Sequence, residues 1–298
     1  MKKFNKTIMK TIGVVAIVAA VGFIGTTNSV EAKTLKINKK YSINLDGKKG
    51  KETIEIKSKK IKNSVYDKFT LYIDGKKVLK VKGYDACCKV LDINKKKAGK
   101  EIAFYGRGNS CTFTNKAGIF TYKKGKLNKV LDLGGDDKEM SFGRVWAGSA
   151  DYITTDGKGT LTIGYDSPSG IGMASYIADV KFEYKKGKLV RKTKNEVVFN
   201  KKSREYQYEL NEDATVYQKP SQTSGVKATL KKNTKLSILK VRYDVIKDKV
   251  TVYNHYEACY NIYAFVKAAD GTEGWIALKK YPGVNDKNNQ FKAYQEWA

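Results

Sequence analysis

Short runs of alternating apolar and polar residues recur along most of the chain and are separated by turn residues. Examples are YSINL, ETIEIKS, FTLYI, EIAFY, GIFTY, TLTIGY, VKFEY, KLSIL, KVTVY and IYAFV. Alternation that involves β-branched and aromatic residues is typical of strands. The Asp-Gly and Gly-Lys links between runs are typical of hairpins. Because helical periodicity is almost absent, the pattern predicts an all-β protein.

One hairpin-like sequence occurs three times in the first two thirds of the chain. Its copies read YIDGKKVL at residues 72–79, TYKKGKLN at 121–128 and EYKKGKLV at 183–190. The turn glycines of the three copies are Gly75, Gly125 and Gly187. Self-similarity of this kind indicates a repeated structural unit.

A second motif repeats at a matching offset. NLDGKKGKE at residues 44–52 pairs with DINKKKAGKE at 92–101, and a fainter copy of the following strand, GTLTIG, occupies 159–164. Each unit then contains about four strands: one before the loop, one after it and two in the hairpin. Four-stranded antiparallel units in series are typical of β-propeller blades. Three blades are too few to close a ring, so the sequence predicts an incomplete propeller or sheets packed as a sandwich.

The loop that opens the first unit resembles a degenerate FG-GAP (integrin-type) repeat. The matching residues are Asn44-Leu45-Asp46-Gly47 and Gly50-Lys51-Glu52-Thr53-Ile54, and the resemblance extends over about residues 41–195. The family motif alternates acidic residues with glycines before an apolar strand. The resemblance implies propeller-like blades with a calcium-binding ancestry.

Calcium needs several oxygen ligands that carry negative charge. The two loops offer the vestigial candidates Asn44, Asp46, Asp92 and Asn94, but lysines stand among them. An ammonium group repels a divalent cation and satisfies the same carboxylate. We therefore predict that lysine replaces the ion and that the chain binds no metal and no other cofactor.

The chain changes character near residue 206. LNEDATVYQKPSQTSGVKATLKKNTKLSIL at 210–239 and YAFVKAADGTEGWIAL at 263–278 resemble a bacterial SH3-like (SH3b) domain spanning about 206–281. A longer middle segment and the absence of the usual second tryptophan depart from the family pattern. The resemblance implies a small barrel that binds cell-wall peptide or glycan. Aromatic residues could line its groove, or could equally be core residues: Tyr217, Tyr243, Tyr253 and Trp275.

The first 32 residues have the pattern of a secretory signal peptide. A lysine-containing start precedes an apolar run, Ile12 to Gly25, and Val30-Glu31-Ala32 matches a small-x-small cleavage site. The run is shorter than the ~20 residues of a membrane-spanning helix. We therefore expect a secreted or cell-surface protein without a membrane span after cleavage. Its parts are a repeat domain (33–205), the SH3-like domain (206–281) and a carboxyl-terminal tail (282–298).

Lysine dominates the charge of the chain, whose formal net charge is +28. Residues 33–205 hold 40 basic and 19 acidic residues, whereas residues 206–298 hold 14 and 10. Specific readers of nucleic acid rely on the planar fork of arginine, and arginine occurs at only five positions. Lysine predicts attraction to anionic envelope polymers and no specific nucleic-acid binding. The alternative is that these lysines only solvate the surface and protect strand edges.

Catalytic chemistry has few candidates in the sequence. The single histidine is His255, so no histidine cluster exists. The densest acidic group contains Asp132, Asp136, Asp137 and Glu139, and a pair of carboxylates suffices for glycoside hydrolysis. Its position after a strand and beside two glycines is also typical of a plain loop. The four cysteines leave open a bridge from Cys87 or Cys88 to Cys111.

These observations favour a secreted, non-catalytic protein that attaches to cell-wall peptidoglycan or an anionic wall polymer. The SH3-like module and the lysine-rich repeats would both contribute. Two alternatives remain at this point. One is a protein-interaction or inhibitor module that uses the blade loops, and the other is a wall or glycan hydrolase built on the acidic group.

Overall fold

The structure, a computed structural model, describes residues 32–108, 116–133, 144–145, 152–167, 176–245, 259–278 and 290–292. Within these ranges almost all regular structure is β-strand, arranged in three antiparallel sheets. The all-β prediction is therefore confirmed. In the described ranges, no helix has the length and apolar character that a membrane crossing requires.

Residues 33–132 form two sheets. Their strands are β1 (Lys33–Thr34), β2 (Lys40–Ile43), β3 (Glu52–Lys60), β4 (Asp67–Ile73), β5 (Lys76–Gly83), β6 (Asp85–Leu91), β7 (Glu101–Arg107), β8 (Gly118–Lys123) and β9 (Lys126–Asp132). Strands β2 to β5 make the first sheet, in up-and-down order. Strands β6 to β9 make the second sheet in the same order, and β1 pairs beside β6 as a fifth strand.

A third unit follows with the same plan. Its elements are β10 (Arg144–Val145), β11 (Ile153–Thr155), β12 (Thr160–Ser167), β13 (Tyr176–Lys185), β14 (Lys188–Arg191), β15 (Glu196–Phe199) and the helix α1 (Lys201–Arg204). Strands β11 to β14 pair in sequence order, as in the first two sheets. Strand β10 lies beside β12, and β15 lies beside β13. Three four-stranded units therefore follow one another along the chain.

The three hairpins expected from the repeated sequence are present. Each closes a two-residue turn with positive φ at both positions, at Asp74-Gly75, Lys124-Gly125 and Lys186-Gly187. Two consecutive residues with positive φ define a type I′ turn, whose twist matches that of the flanking strands. Gly75, Gly125 and Gly187 each occupy the second turn position, where a side chain would be strained.

The second sheet is buried on both faces. Cys88, Ile102 and Phe104 pack in a core shared with the first sheet. Their neighbours Cys87, Ala103 and Tyr105 point to the opposite face and pack in a core shared with the third unit. Because successive side chains of a strand alternate between faces, the adjacent cysteines belong to different cores. The nearly continuous apolar runs ACCKVL and IAFY follow from this middle position.

The last part of the chain extends the third sheet. Its strands are β16 (Tyr208–Glu209), β17 (Ala214–Tyr217), β18 (Val226–Leu230), β19 (Lys235–Val245), β20 (Cys259–Ala268) and β21 (Glu273–Leu278). Strand β19 pairs with β15, and the order continues through β20, β21 and β17 to β18. A third core lies here and includes Ala178, Phe199, Ile238 and Ile276.

The small barrel predicted for residues 206–281 is not closed in the described part of the chain. Strand β19 is long and has irregular pairing near Ile238 and near Asp244. One edge of β19 pairs with β16 at its start and with β15 further along. That edge therefore joins the third sheet, and the sheet remains open where a barrel would return to β18.

Candidate functional site

The links between the first two strands of each unit share one backbone design. We name them the first loop (44–51), the second loop (92–100) and the third loop (156–159). Asp46 accepts a hydrogen bond from the N–H of Lys48 at 2.9 Å. The same two-residue bond links Asn94 to the N–H of Lys96 at 3.1 Å and Asp156 to the N–H of Lys158 at 2.8 Å. Such side-chain-to-backbone bonds define Asx turns, so this design occurs in all three units.

Backbone hydrogen bonds join the three loops edge to edge. The N–H of Lys100 donates to the carbonyl of Leu45 at 2.9 Å, and the N–H of Gly159 donates to the carbonyl of Ile93 at 2.8 Å. Leu45 and Ile93 precede the Asx turns of their loops, so the two bonds are equivalent. Gly99 lies close to the first loop, since a Cβ there would come within 2.8 Å of the Leu45 carbonyl oxygen. These bonds align the same end of all three units.

The vestigial metal candidates are occupied by other partners. Asn44 accepts from the N–H of Gly47 at 2.7 Å and donates to the carbonyl of Lys48 at 2.6 Å. Asp46 lies 3.5 Å from the ammonium of Lys48. In the second loop, Asp92 lies 3.7 Å from the ammonium of Lys100, and Asn94 holds its Asx turn. Within the described ranges, no group of three or more histidine, cysteine, aspartate and glutamate residues is placed to hold a metal ion.

Up-and-down strand order places the hairpin turns at the same end as the loops. In the first unit, for example, the carboxylate of Asp74 accepts from the N–H of Thr53 at 2.8 Å. Lysines of the loops and hairpins therefore converge on one surface, which we call the lysine-rich end. Its members are Lys48, Lys49, Lys51, Lys76, Lys95, Lys96, Lys97, Lys100, Lys123, Lys124, Lys126, Lys158, Lys185, Lys186 and Lys188.

Carboxylates at the lysine-rich end serve mainly as internal acceptors. Glu52 accepts from the N–H of Leu45 at 2.7 Å. The corresponding residue Glu101 accepts from the N–H of Ile93 at 3.3 Å and from the hydroxyl of Tyr184 at 2.7 Å. Burial raises the pKa of Glu101, although the hydrogen bond from Tyr184 opposes that rise. These groups organise the loops, and they leave most of the lysine charge facing solvent.

The pKa of Asp156 is shifted in the opposite direction to that of Glu101. Burial would raise its pKa, but hydrogen bonds from the backbone N–H groups of Thr160 and Lys158 outweigh burial and lower it. The third loop therefore holds an ionised carboxylate as the centre of its turn. The charge of Lys158 stays exposed beside it.

The aromatic candidates of the carboxyl-terminal part occupy different environments. Trp275 is 6% exposed and packs edge-on against Phe265, with ring centroids 5.3 Å apart. The ammonium of Lys240 lies 4.8 Å from the centroid of the Trp275 ring. Tyr217 pairs with Trp275 across β17 and β21 and is half-buried. Tyr243 lies on β19 opposite Ile262, and Tyr253 lies outside the described residues.

The acidic group considered for hydrolysis is only partly described. Asp132 ends β9, and its carboxylate lies 2.8 Å from the ammonium of Lys129. Asp136, Asp137 and Glu139 lie outside the described residues, as does His255.

Cys87 and Cys88 are both free. Cys87 and Cys88 are buried on opposite faces of the second sheet. Burial raises the pKa of both thiols, which disfavours the reactive thiolate. Cys111, the other partner of the bridge left open by the sequence, lies outside the described residues.

Comparison of the chain with family models, curated proteins and solved structures found no match. The resemblances of residues 41–195 and 206–281 therefore rest on sequence motifs alone. The function of the protein is therefore inferred from the chemistry of its surfaces. The lysine-rich end is the surface at which the repeated loops and hairpins converge.

Proposed function

We propose that this protein is a secreted, non-catalytic binding protein that attaches to an anionic polymer of the cell wall. One observation carries the proposal, namely the concentration of unpaired cationic charge at the lysine-rich end. Among the described residues, only Lys48 and Lys100 of its fifteen lysines have a carboxylate within 4 Å. The remaining ammonium groups are available to an external anion.

A repeated loop is an effective way to build such a surface. In each loop the side chain of the Asx turn accepts a hydrogen bond from a backbone N–H group, and in the first two units the glutamate that follows the loop does the same. The lysines are therefore held on an ordered backbone. Several ammonium groups on one surface attract a polyanion more strongly than isolated charges do, and salt weakens this attraction. Arginine forks for reading bases do not occur at this end, which favours a polymer recognised by charge.

The carboxyl-terminal part would add a second contact. Its resemblance to bacterial SH3-like modules implies binding of wall peptide or glycan. Tyr217 supports this role, because it is only half-buried. Trp275 supports it less directly, as a buried side chain that lies beneath Lys240 and opposite Tyr217 on the neighbouring strand.

Retention of the full chain on purified cell walls tests the proposal. Walls stripped of their anionic polymers serve as the matched substrate, and each binding reaction is run at about 20 mM and about 500 mM salt. We expect retention on intact walls at low salt, weaker retention at high salt and weaker retention on stripped walls. Equal retention on both walls at both salt concentrations would refute a charge-driven attachment, and release of wall fragments would indicate a hydrolase.

A further inference from the structure

One face of the first sheet packs in the core that it shares with the second sheet. Ile54, Ile56, Phe69, Leu71 and Val81 point to the second sheet and are at most 2% exposed. The opposite face, which we call the outer face, consists of the alternate positions on β2 to β5. Eight of its twelve residues are exposed and one, Thr70, is buried at 7% exposure. Its side chains are Lys40, Ser42, Thr53, Glu55, Lys57, Lys59, Lys68, Thr70, Tyr72, Lys77, Lys80 and Lys82.

Strand register arranges these lysines in rows that cross the sheet. One row runs Lys59, Lys68, Lys82 over β3, β4 and β5. The next row runs Lys57, Thr70, Lys80. Side chains directly opposite one another in an antiparallel pair have Cβ atoms about 4.5 to 5.5 Å apart, and like charges at that spacing are destabilising. The row of Lys59, Lys68 and Lys82 therefore places three positive charges side by side.

Like charges crowd one another on this face. The pKa of Lys80 is lowered by its contact with Lys77, and the charge of Lys68 lowers it further, although Lys80 is exposed to solvent. Glu55 is the one carboxylate among the twelve positions, and it already lies 3.4 Å from Lys57. An external anion would relieve the repulsion among Lys68, Lys77 and Lys80.

The outer face has little that would suit an apolar partner. Its single aromatic residue is Tyr72, and the ammonium of Lys57 lies 5.3 Å from the centroid of that ring. The exposed large hydrophobic residues of the described chain, Val65, Tyr84, Val198 and Val226, lie elsewhere. Membrane-surface binding gains most from apolar side chains that enter the lipid, so the chemistry favours a hydrophilic polyanion.

We propose that the outer face is a docking track for an extended polyanion bearing phosphate or carboxylate groups, which lies across the lysine rows of β3, β4 and β5. This inference rests on the proposed function and adds the outer face to the lysine-rich end as a second cationic surface. The rows recur about every 6.8 Å along the strands, and neighbouring strands are about 4.8 Å apart. A flexible chain of closely spaced anions meets several ammonium groups at once. Recognition is by charge density, since no open aromatic face or arginine fork is present to read a sugar or a base.

Two triple variants with the same change in net charge test the track. The first replaces Lys68, Lys77 and Lys80 of the outer face by glutamine. The second replaces Lys181, Lys194 and Lys201, which are exposed and belong to neither the outer face nor the lysine-rich end, by glutamine. Binding of the full chain to linear polyphosphate and to poly-L-glutamate is measured by fluorescence anisotropy over a series of salt concentrations. Vesicles of phosphatidylglycerol form a further arm, and thermal melting checks that each variant is folded.

We expect the outer-face variant to lose at least tenfold in affinity and the other variant to lose less than threefold. The slope of log affinity against log salt should fall by roughly two for the outer-face variant, as expected when three lysine–anion contacts to a single strand are lost. The outer-face variant should melt no lower than the wild type, because like-charge repulsion is removed. Preference for polyphosphate or for polyglutamate would identify the anion.

Equal losses in the two variants would overturn the track and leave binding to net charge alone, which the proposed function survives. Stronger binding to phosphatidylglycerol vesicles than to either polymer, lost in the outer-face variant, would overturn the track in favour of a lipid surface. Failure of the wild type to bind any polyanion at low salt would overturn the track and the proposed function together.

Discussion

The hydroxyl of Tyr184 donates a 2.7 Å hydrogen bond to Oε1 of Glu101, and this contact joins the third unit to the second sheet. The other carboxylate oxygen of Glu101 accepts from the N–H of Ile93 at the start of the second loop. The ammonium of Lys97 lies 5.6 Å from the centroid of the Tyr184 ring. One half-buried carboxylate thus holds the second loop against the neighbouring unit.

Replacing Tyr184 by phenylalanine should lower the free energy of unfolding by about 1.5 to 3 kcal/mol at pH 7, since a hydrogen bond to a charged group is lost. Burial raises the pKa of Glu101 above its ordinary value of 4.5, so the contribution of this group to stability falls as pH rises through the folded pKa. Without Tyr184 the pKa rises further, and the loss should shrink towards pH 4. Chemical denaturation at pH 7 and at pH 4 measures this loss in the free energy of unfolding. The substitution Tyr84→Phe, at an exposed tyrosine, is the control. A loss that did not depend on pH would contradict this account.

Gly47 and Gly125 have nearly the same backbone conformation, with φ of 77° and 75°, but different surroundings. A Cβ on Gly47 would lie 2.5 Å from backbone and side-chain atoms of Ala98, whereas a Cβ on Gly125 would meet nothing within 4 Å. Gly125→Ala should lower the free energy of unfolding by about 1 kcal/mol through backbone strain alone. Gly47→Ala should cost clearly more, because the first and second loops must separate. Equal melting temperatures for the two variants would show that the loops are not in contact.

Asp156 should make the third loop sensitive to acid. Its lowered pKa means that it stabilises the folded state above its ordinary pKa of 3.8, and that this contribution is lost as pH falls through the folded pKa. Asp156→Asn keeps the Oδ1 acceptor and removes the charge. The variant should be less stable than the wild type at pH 6 by under about 1 kcal/mol, because the side chain is partly solvated, and equally stable at pH 2. Asn94→Asp provides the reverse change in the second loop.

Cys87 and Cys88 should resist thiol reagents while the protein is folded. Both are buried, and burial raises the pKa of each thiol, so the thiolate is scarce. Mass spectrometry after alkylation at pH 8 should find the peptide with both cysteines unmodified in the native protein and doubly modified in denaturant. Rapid native modification at either position would show that the cores on the two sides of the second sheet open readily.

The sequence predicted local structure well because local rules decide it. Alternation predicted the strands, and the Asp-Gly and Lys-Gly pairs at 74–75, 124–125 and 186–187 predicted hairpins that the structure contains. The repeated loop was visible as NLDGKKGKE and DINKKKAGKE, and its Asx turns follow from residues two positions apart. Each of these features involves neighbours in the chain.

The sequence did not predict the features that depend on packing between distant parts of the chain. The burial of Lys89, whose ammonium donates to the carbonyl of Ile153 at 2.8 Å, follows from the position of the second sheet between two others. In the residues that the structure describes, the barrel expected near the carboxyl end is not closed, and one edge of β19 pairs with β15. The outer face did leave a trace in the sequence, since lysines alternate with other residues in EIKSKK and in VLKVKG, but alternation alone does not say which face is covered.

By itself, the sequence determined the all-β class, the three repeated hairpins, the repetition of the opening loop in the first two units and the excess of lysine over acid. Only the tertiary structure decided where that charge lies. Hydrogen bonds from Lys100 to Leu45 and from Gly159 to Ile93 align the three units, so lysines distant in sequence meet at one end. Among the described residues, one face of the first sheet belongs to a core, and its other face carries rows of lysine. Side chains alternate along any strand for steric reasons, but which side meets water depends on what the rest of the chain covers.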